Sequence, residues 1–272
     1  MKVKHIIPTL VFFSLFVFPL ISHAEYDEEM KFGSYADRLF ISTHTILFDE
    51  SINKRITEIG NRVAKVSDKP DTKYTFRIIN DSNINAYSVS GGYIYINTGL
   101  LDVLESEDEL ASIISHEIAH VCKNHSIKFT RAQIRSEIAS NVLAIFLSSA
   151  IGIYGGRAIE SSDSLVVHSV GQGVVISGVA EELGWAIVSE TFIPVLKGYG
   201  REQEIEADAL AVQYTKKAGY NPNATINVFK RMITIRDRLK ITENNYVSKL
   251  INAAPGLEER IKNAEDTISK AK

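Results

Sequence analysis

Apolar residues recur at helical spacing in several parts of the chain. In the first of these, Ile52, Ile56, Ile59 and Val63 follow one another at intervals of four, three and four residues. Because an α-helix has about 3.6 residues per turn, these side chains share one face. The helices predicted in this way lie at about residues 49–66, from Ser106 onward, and at about residues 201–217, 224–240 and 257–270.

Local signals predict where two of these helices begin and end. Ser106 and Glu109 have the spacing of an N-terminal capping box, and acidic residues fill the first turn, where the helix dipole favours them. Gly219 and Pro222 follow the helix at 201–217. Glycine commonly ends a helix and proline cannot continue one, so this helix is expected to stop before Gly219.

Between the first two helices the pattern changes to short stretches of β-branched and aromatic residues. These stretches are KYTFRIIN at residues 73–80, NAYSV at 85–89 and GYIYIN at 92–97. The sequences DSN and SGG between them are typical of turns. In the last stretch two tyrosines alternate with two isoleucines, so one face can be buried while the other meets solvent or a ligand. We therefore predict an α+β fold, mainly helical, with a small antiparallel β-sheet.

The first 24 residues differ from the rest of the chain. Two lysines precede an apolar run, and Ser22 and Ala24 stand at the small-residue positions of a cleavage site. A secretory signal peptide over residues 1–24 is favoured over an uncleaved membrane anchor, because the apolar run is short for a span of about 20 residues and contains two prolines. We expect a single domain over residues 25–272.

The charge of the chain argues against a nucleic-acid-binding protein, and its cysteine content excludes stabilisation by an intramolecular disulfide. Loss of residues 1–24 removes two lysines and no acidic residue, which moves the net charge from −3 to −5. A nucleic-acid partner is not expected, because a phosphate-binding face needs clustered lysine and arginine and the chain has no such block. The one cysteine, Cys122, permits no intramolecular disulfide, so the core and any bound metal must supply the stability.

Residues 140–195 are rich in glycine, alanine, serine and valine, and they include the apolar run VLAIFLSSAIGIYG. This run is shorter than the roughly 20 residues of a membrane span. A buried or hinge-like helical hairpin near the active site is therefore favoured over a membrane span. The glycines of this segment would also allow it to move as a lid.

The sequence SHEIAHVCKNH, at residues 115–125, places three histidines and a glutamate in one predicted helix. Each helical residue advances by about 100°, so His116 and His120 stand one above the other on the same face. Glu117 lies about 100° round from His116, where it can reach a water on an ion that the two imidazoles hold. H-E-x-x-H thus combines two zinc ligands with a carboxylate that takes a proton from water.

His125 is not predicted to be a third ligand. If the helix continues, His125 lies about 180° away from His116 and about 140° away from His120. Its spacing also differs from that of metzincins, which have a glycine turn and a histidine six residues after the second histidine. We assign His125 to the helix end, where a partly charged imidazole suits the helix dipole.

The candidate for the third ligand lies in REQEIEADAL, on the predicted helix at 201–217. A catalytic zinc takes three protein ligands and keeps one position open, and Glu204 can complete a His, His, Glu site. Asp208, four residues on, can accept the other ring N–H of a ligand histidine. The alternative is a solvated acidic face to which Glu202, Glu206 and Asp208 belong.

Three motifs in this order resemble those of the HtpX-like and CAAX-prenyl-protease family of zinc metallopeptidases, within the gluzincin group. They are NAYSVSGGYIYINTGLL, HEIAH and the later E-x-E-A-D form, and the resemblance covers about residues 45–265. It implies a gluzincin fold with one zinc ion per chain, bound by His116, His120 and Glu204. It also implies that Glu117 is the catalytic base and that Asp208 supports the site or handles protons.

Within that family the chain looks like the exported bacterial branch. This implies a periplasmic zinc endopeptidase that hydrolyses unfolded or misassembled envelope proteins, with membrane association and oligomeric state left open. Two residues depart from the family pattern. Ser90 stands where many members have proline, and Ala254 stands before Pro255 where many members have histidine, so a role for that histidine has no counterpart here.

Metal-assisted peptide hydrolysis is the leading hypothesis. Zinc lowers the pKa of water to about 7 and polarises a carbonyl, while Glu117 moves the proton to the leaving amine. The substrate is expected to pair through its backbone with the strand at 92–97, which favours unfolded proteins. The group that stabilises the oxyanion is left open among Arg260, His168 and Tyr214.

Two other classes of protein remain as alternatives. One is a non-catalytic envelope chaperone or assembly factor that keeps zinc for structure. Structural zinc usually has four protein ligands, and the sequence offers three, which favours an open catalytic site. The other is a helical interaction protein without metal, which would leave the pattern of His116, His120 and Glu204 unexplained.

Overall fold

The computed structural model describes residues 29–128, 169–170, 173–174, 199–239 and 256–270. The chain divides into two compact units, one of Met1–Ile127 with Gly198–Lys272 and the other of Lys128–Lys197. The expected signal peptide lies outside the described residues, and a single domain over residues 25–272 stays a prediction. Among the described residues, no helix combines the length and the apolar character needed to cross a membrane.

The first unit contains helices packed on a small β-sheet. Its described elements are, in chain order, α1 (29–43), β1 (Ile46–Leu47), α2 (Glu50–Ala64), β2 (Thr75–Ile79), β3 (Ala86–Val89), β4 (Tyr93–Asn97), α3 (Thr98–Leu101) and α4 (Glu107–Cys122), followed by α5 (Arg201–Lys217), α6 (Ala224–Leu239) and α7 (Leu257–Lys270). These bounds confirm the predicted α+β class. α1, β1 and α3 were not predicted.

The second unit is described at five residues only, Lys128 and four residues in two strands. Two short strands, Ser169–Val170 and Gly173–Val174, pair in an antiparallel ladder. The helical hairpin predicted for residues 140–195 is wrong at these four residues, which form strands. The other residues of that segment lie outside the described residues, as does the choice between a hairpin and a membrane span.

The sheet is mixed, and the prediction of a wholly antiparallel sheet is wrong. Its strand order is β1-β2-β4-β3; β2 and β4 are parallel, and the other neighbours are antiparallel. After β2 the chain passes the central position and forms β3 at the edge. A tight turn with Gly91 and Gly92 at positive φ then returns β4 into the gap, so that β4 runs in the direction of β2. Since β4 has neighbours on both sides, the predicted pairing of a substrate with residues 92–97 is also wrong.

Both faces of the sheet are covered. Ile94 and Ile96 are fully buried in the core that α2 and α4 complete. On the other face, the Tyr95 ring stacks on Phe40 of α1 at 4.0 Å between centroids, and its hydroxyl donates to Asp37 at 2.7 Å. The prediction that one face of this strand meets solvent or a ligand is therefore wrong for Tyr95, which α1 covers, whereas Tyr93 on the same face is partly exposed.

Helix α4 crosses the centre of the core. The Ser106 hydroxyl accepts a hydrogen bond from the backbone N–H of Glu109 at 3.2 Å, as the capping box predicts. The Glu109 carboxylate instead accepts the N–H of Glu105 and pairs with Arg231 of α6, so the second half of the box is replaced by a link to another helix. The start of α4 is thus fixed locally and by the packing of α6.

Helices α4 and α5 lie close together, and this brings the predicted ligands into one place. Ala119 on α4 and Ala207 on α5 are fully buried, and such small side chains let helix backbones approach. The Thr215 hydroxyl of α5 donates to the Ser115 hydroxyl of α4 at 3.0 Å. This bond lies one residue before the first histidine of the motif and helps to set the register between the two helices.

Candidate metal centre

His116, His120 and Glu204 converge on one point between α4 and the first turn of α5. The His116 Nε2 atom lies 2.9 Å from His120 Nε2 and 3.3 Å from Glu204 Oε2, and His120 Nε2 lies 3.7 Å from Glu204 Oε1. Zinc holds nitrogen and oxygen ligands at about 2.0–2.1 Å, so ligands of one tetrahedral site lie roughly 3.4 Å apart. Small adjustments of these side chains would therefore admit a metal ion.

Glu204 and His120 are in the protonation states that bind a divalent cation. The exposed fractions of the His116, His120 and Glu204 side chains are 12%, 2% and 7%. Burial opposes ionisation of Glu204, but His116 and Arg260 outweigh it and lower the pKa of this carboxyl to about 2. Burial and the neighbouring His116 lower the pKa of His120, so its ring stays neutral, which is the form that binds a metal.

Asp208 holds the ring of His116. Its Oδ1 atom lies 2.9 Å from His116 Nδ1, and its side chain is completely buried. Burial alone would lower the pKa of His116, but Asp208 and Glu204 raise it to about 10. A carboxylate on the second ring nitrogen is the usual support of a ligand histidine, and the contact directs Nε2 toward His120 and Glu204.

Arg260 of α7 is the buried cation of the site. Its Nε and Nη2 atoms donate to the two carboxylate oxygens of Asp208 at 2.8 and 2.7 Å. Nη2 also lies 3.4 Å from Glu204 Oε2 and 3.5 Å from His116 Nε2. The guanidinium carbon lies 4.5 Å from the centre of the Phe229 ring. Arg260 is thus fixed on two sides beside the candidate ligands.

The other two candidates for the group that stabilises the oxyanion, Tyr214 and His168, have less structural support than Arg260. The Tyr214 hydroxyl accepts the backbone N–H of Asp68 at 3.3 Å, and Tyr214 belongs to the main hydrophobic core. His168 lies outside the described residues. Of the three side chains that the sequence left open, Arg260 is the one that contacts a candidate ligand among the described residues.

Glu117 faces the same cavity as the candidate ligand His116. It lines a cavity together with His116, Asp208 and Arg260, and the cavity has an apolar wall formed by side chains of α4 and α6. The side chain is buried, and burial raises the pKa of the Glu117 carboxyl, although the charge of His116 opposes this. A carboxylate with a raised pKa beside a metal site is suited to accept a proton.

His125 lies just beyond the end of α4, near its predicted place, but its side chain contacts the site instead of pointing away from His120. α4 ends at Cys122, and Asn124 adopts a left-handed conformation with φ 56°, which turns the chain back. His125 is buried, with its Nδ1 atom 2.7 Å from His120 Nδ1. The predicted angle between His125 and the two histidines assumed a continuous helix. The helix does not continue, because the chain turns at Asn124. Among the described residues, the group that could hold a metal does not include His125.

The acidic face of α5 divides into two parts. Glu204 and Asp208 are buried at the site, whereas Glu202 and Glu206 are exposed. The alternative of a solvated acidic face is therefore correct for Glu202 and Glu206 and wrong for Asp208.

Sequence reasoning missed Tyr199, which precedes α5. Its ring stacks on His120 with 4.1 Å between centroids and 28° between planes. Its hydroxyl donates to the backbone carbonyl of Ser88 on β3 at 2.9 Å. A single tyrosine before a helix carries no sequence signal, because its role depends on packing against residues far away in the chain.

Known proteins resemble this chain over most of its length. A β-barrel assembly-enhancing protease of Yersinia pestis is 22% identical over 252 residues, 90% of this chain and 45% of that protein. The mitochondrial metalloendopeptidase OMA1 of Schizosaccharomyces pombe is 24% identical over 250 residues, 90% and 59% of the two chains. The metalloprotease LoiP of Escherichia coli is 23% identical over 216 residues, 79% and 70%.

This chain spans less than half the length of the β-barrel assembly-enhancing proteases that it matches. Residues 50–268 match the family model of peptidase family M48. These relatives are named as a protease, a metalloendopeptidase and a metalloprotease. The match over most of the chain confirms the resemblance seen in its motifs and shows that this protein belongs to peptidase family M48.

Proposed function

We propose that this chain is a periplasmic zinc endopeptidase, with one zinc ion per chain, that hydrolyses unfolded or misassembled envelope proteins. The observation that supports it best is the convergence of His116, His120 and Glu204, with Glu117 beside His116 on one cavity. The name of these relatives, β-barrel assembly-enhancing protease, supports envelope proteins as the substrate class. Export through a signal peptide at residues 1–24 is part of the proposal.

The chemistry divides between the metal and three side chains. Zinc bound by His116, His120 and Glu204 would act as a Lewis acid that polarises a carbonyl and makes water more acidic. Glu117 takes a proton from the attacking water and delivers it to the nitrogen of the leaving amine. This transfer balances the reaction, in which water adds across the peptide bond to give a carboxyl and an amine.

Arg260 is the side chain best suited to stabilise the negative charge that develops on the carbonyl oxygen. It is a buried donor whose orientation Asp208 fixes through two hydrogen bonds. Its Nη2 atom lies within 3.5 Å of a candidate ligand atom. A donor that needs no reorientation during the reaction stabilises developing charge most effectively.

The proposed substrate strand lies along β3, one of the two edge strands of the sheet among the described strands. The N–H of Asn97 donates to the carbonyl of Asn85, so this is a hydrogen-bonded pair of β4 and β3. Hydrogen-bonded pairs alternate with non-bonded pairs along an antiparallel ladder. The backbone groups of Ala86 and Ser88 therefore point away from β4. The Ala86 N–H donates to the side-chain oxygen of Asn85 at 3.0 Å, so an extended peptide that pairs with these groups has to replace this bond. Such recognition depends on backbone hydrogen bonds to an extended segment, and a folded protein does not expose its backbone as an extended, unpaired segment.

The Tyr199 hydroxyl already binds one of these outward-facing backbone groups, the carbonyl of Ser88. Because its hydroxyl bonds to the Ser88 carbonyl, an incoming peptide has to displace it. A hydrogen bond contributes about 0.5–1.5 kcal/mol net, so Tyr199→Phe is expected to raise kcat/KM for unfolded casein by roughly twofold to tenfold. Tyr220→Phe is the matched control, since Tyr220 contacts Arg62. A fall in kcat/KM at unchanged zinc content would instead mean that the hydroxyl assists the substrate.

The preference for unfolded substrates has its own test. One disulfide-bonded protein is offered to the enzyme in its native form and in its reduced, alkylated form. We expect cleavage of the unfolded form and little cleavage of the native form, because only the former can extend along β3. Equal rates on both forms would contradict backbone pairing. Suppression of aggregation without any cleavage would favour the chaperone alternative.

A further inference from the structure

We infer that His125 and Glu206 are positioning residues that fix the tautomer and orientation of His120 and so set the affinity for the metal. The inference rests on the proposed metal centre. It concerns two residues that neither bind the metal nor touch the substrate in the mechanism above.

The contacts form a continuous line from the candidate ligand to the surface. His120 Nδ1 lies 2.7 Å from His125 Nδ1, and His125 Nε2 lies 3.2 Å from Glu206 Oε2. The side chains of His120 and His125 are each 2% exposed, and that of Glu206 is 49% exposed. Two buried imidazoles thus connect the centre to a carboxylate that reaches solvent.

The direction of these hydrogen bonds follows from the ligand role of His120. Its Nε2 atom faces Glu204 and must be free of a proton to bind a metal, so the ring proton sits on Nδ1 and is donated to His125 Nδ1. His125 then accepts at Nδ1 and carries its own proton on Nε2. That proton points to the Glu206 carboxylate, which completes the line.

The two ligand histidines are therefore supported in different ways. His116 contacts a fully buried carboxylate directly, and Arg260 holds that carboxylate in place. His120 reaches its carboxylate through a second ring, and the final acceptor, Glu206, also lies 3.8 Å from Lys123. Support of His120 depends in addition on the turn at Asn124, because this turn brings His125 back to the site.

Substitutions at His125 separate its two contacts. His125→Leu removes both hydrogen bonds. His125→Asn keeps an acceptor near the position of Nδ1 but does not reach Glu206. Loss of a residue that orients a metal ligand typically weakens metal binding by about 10–100-fold, so we expect this range for leucine and a smaller loss, with partial rescue, for asparagine.

Glu206→Gln tests the carboxylate end without disturbing the buried rings. Because solvent screens this half-exposed charge, we expect a loss of zinc affinity of about threefold to tenfold. Glu202→Gln makes the same charge change on an exposed residue of the same helix and should leave zinc affinity unchanged. Zinc dissociation constants are measured by competition with a chelator, and thermal unfolding of the zinc-free proteins shows whether each variant folds.

The outcomes separate this inference from the proposed function. If the wild type binds one zinc and His125→Leu and Glu206→Gln, both folded, bind it equally well, the line of hydrogen bonds does not position His120. A loss at His125 with none at Glu206 would overturn the part assigned to Glu206. If His125→Leu does not fold, Glu206→Gln and His125→Asn still decide the matter. A wild type that binds no zinc would overturn both the inference and the proposed function.

Discussion

Glu117→Gln is expected to lower kcat/KM for unfolded casein by about 10²–10⁴-fold while zinc stays bound at one ion per chain, because a positioned general base contributes a factor of this size. Glutamine has nearly the same shape as glutamate but cannot accept the proton of water. The side chain lies next to His116 in the chain and lines the same cavity, yet it is not one of the candidate ligands. Activity should therefore be lost without loss of metal.

The pH dependence of the wild type follows from the same residue. Burial raises the pKa of Glu117 above the ordinary glutamate value of 4.5. The base works only when ionised, so activity should be low below the raised pKa and increase as the pH passes through it. The acidic limb of the kcat/KM profile is expected above pH 4.5. Glu202→Gln is the matched control, and activity retained in Glu117→Gln would exclude Glu117 as the base.

Asp208→Asn is expected to have the second large effect, on stability and on metal binding together. The substitution leaves the buried Arg260 charge without the carboxylate that accepts both of its hydrogen bonds. Removal of one partner from a buried ion pair typically costs about 3–5 kcal/mol, so we expect the free energy of unfolding to fall by about 3 kcal/mol, since Glu204 still lies near the guanidinium. Zinc affinity should fall by about 10–100-fold, because His116 loses the carboxylate at Nδ1.

A double-mutant cycle separates these two effects. Arg260→Met removes the charge that Asp208→Asn leaves unpaired, so the double variant should be less destabilised than the two single variants together predict. Zinc affinity of the double variant should stay low, because His116 still lacks Asp208. Chemical unfolding of the zinc-free proteins gives the stabilities. Additive losses of stability would show that the two side chains are not coupled.

Local patterns predicted the parts of the site that depend on one helix. His116 and His120 share a face because four residues make about one turn, and this holds wherever the helix is placed. The predicted bounds of α5, Arg201 and Lys217, agree with the structure. Its end could be predicted because Gly219, which adopts a positive φ, and Pro222 follow it closely in the sequence.

Features that depend on distant contacts were not predictable in the same way. The parallel pairing of β2 with β4 depends on which gap the returning strand fills, and alternation of side chains carries no information about that choice. The burial of Tyr95 depends on α1, which was not predicted. His125 was misplaced because the calculation assumed a helix beyond Cys122, although Asn124 is a residue type that tolerates the left-handed conformation found there.

The most direct test of the central claim is the rate of casein cleavage as zinc is added back to chelator-treated wild-type protein. If His116, His120 and Glu204 form one catalytic zinc site, cleavage should be absent without metal and should increase in proportion to bound zinc until one ion per chain is reached. Cleavage that persists without zinc, or a protein that binds one zinc and cleaves nothing, would contradict the account.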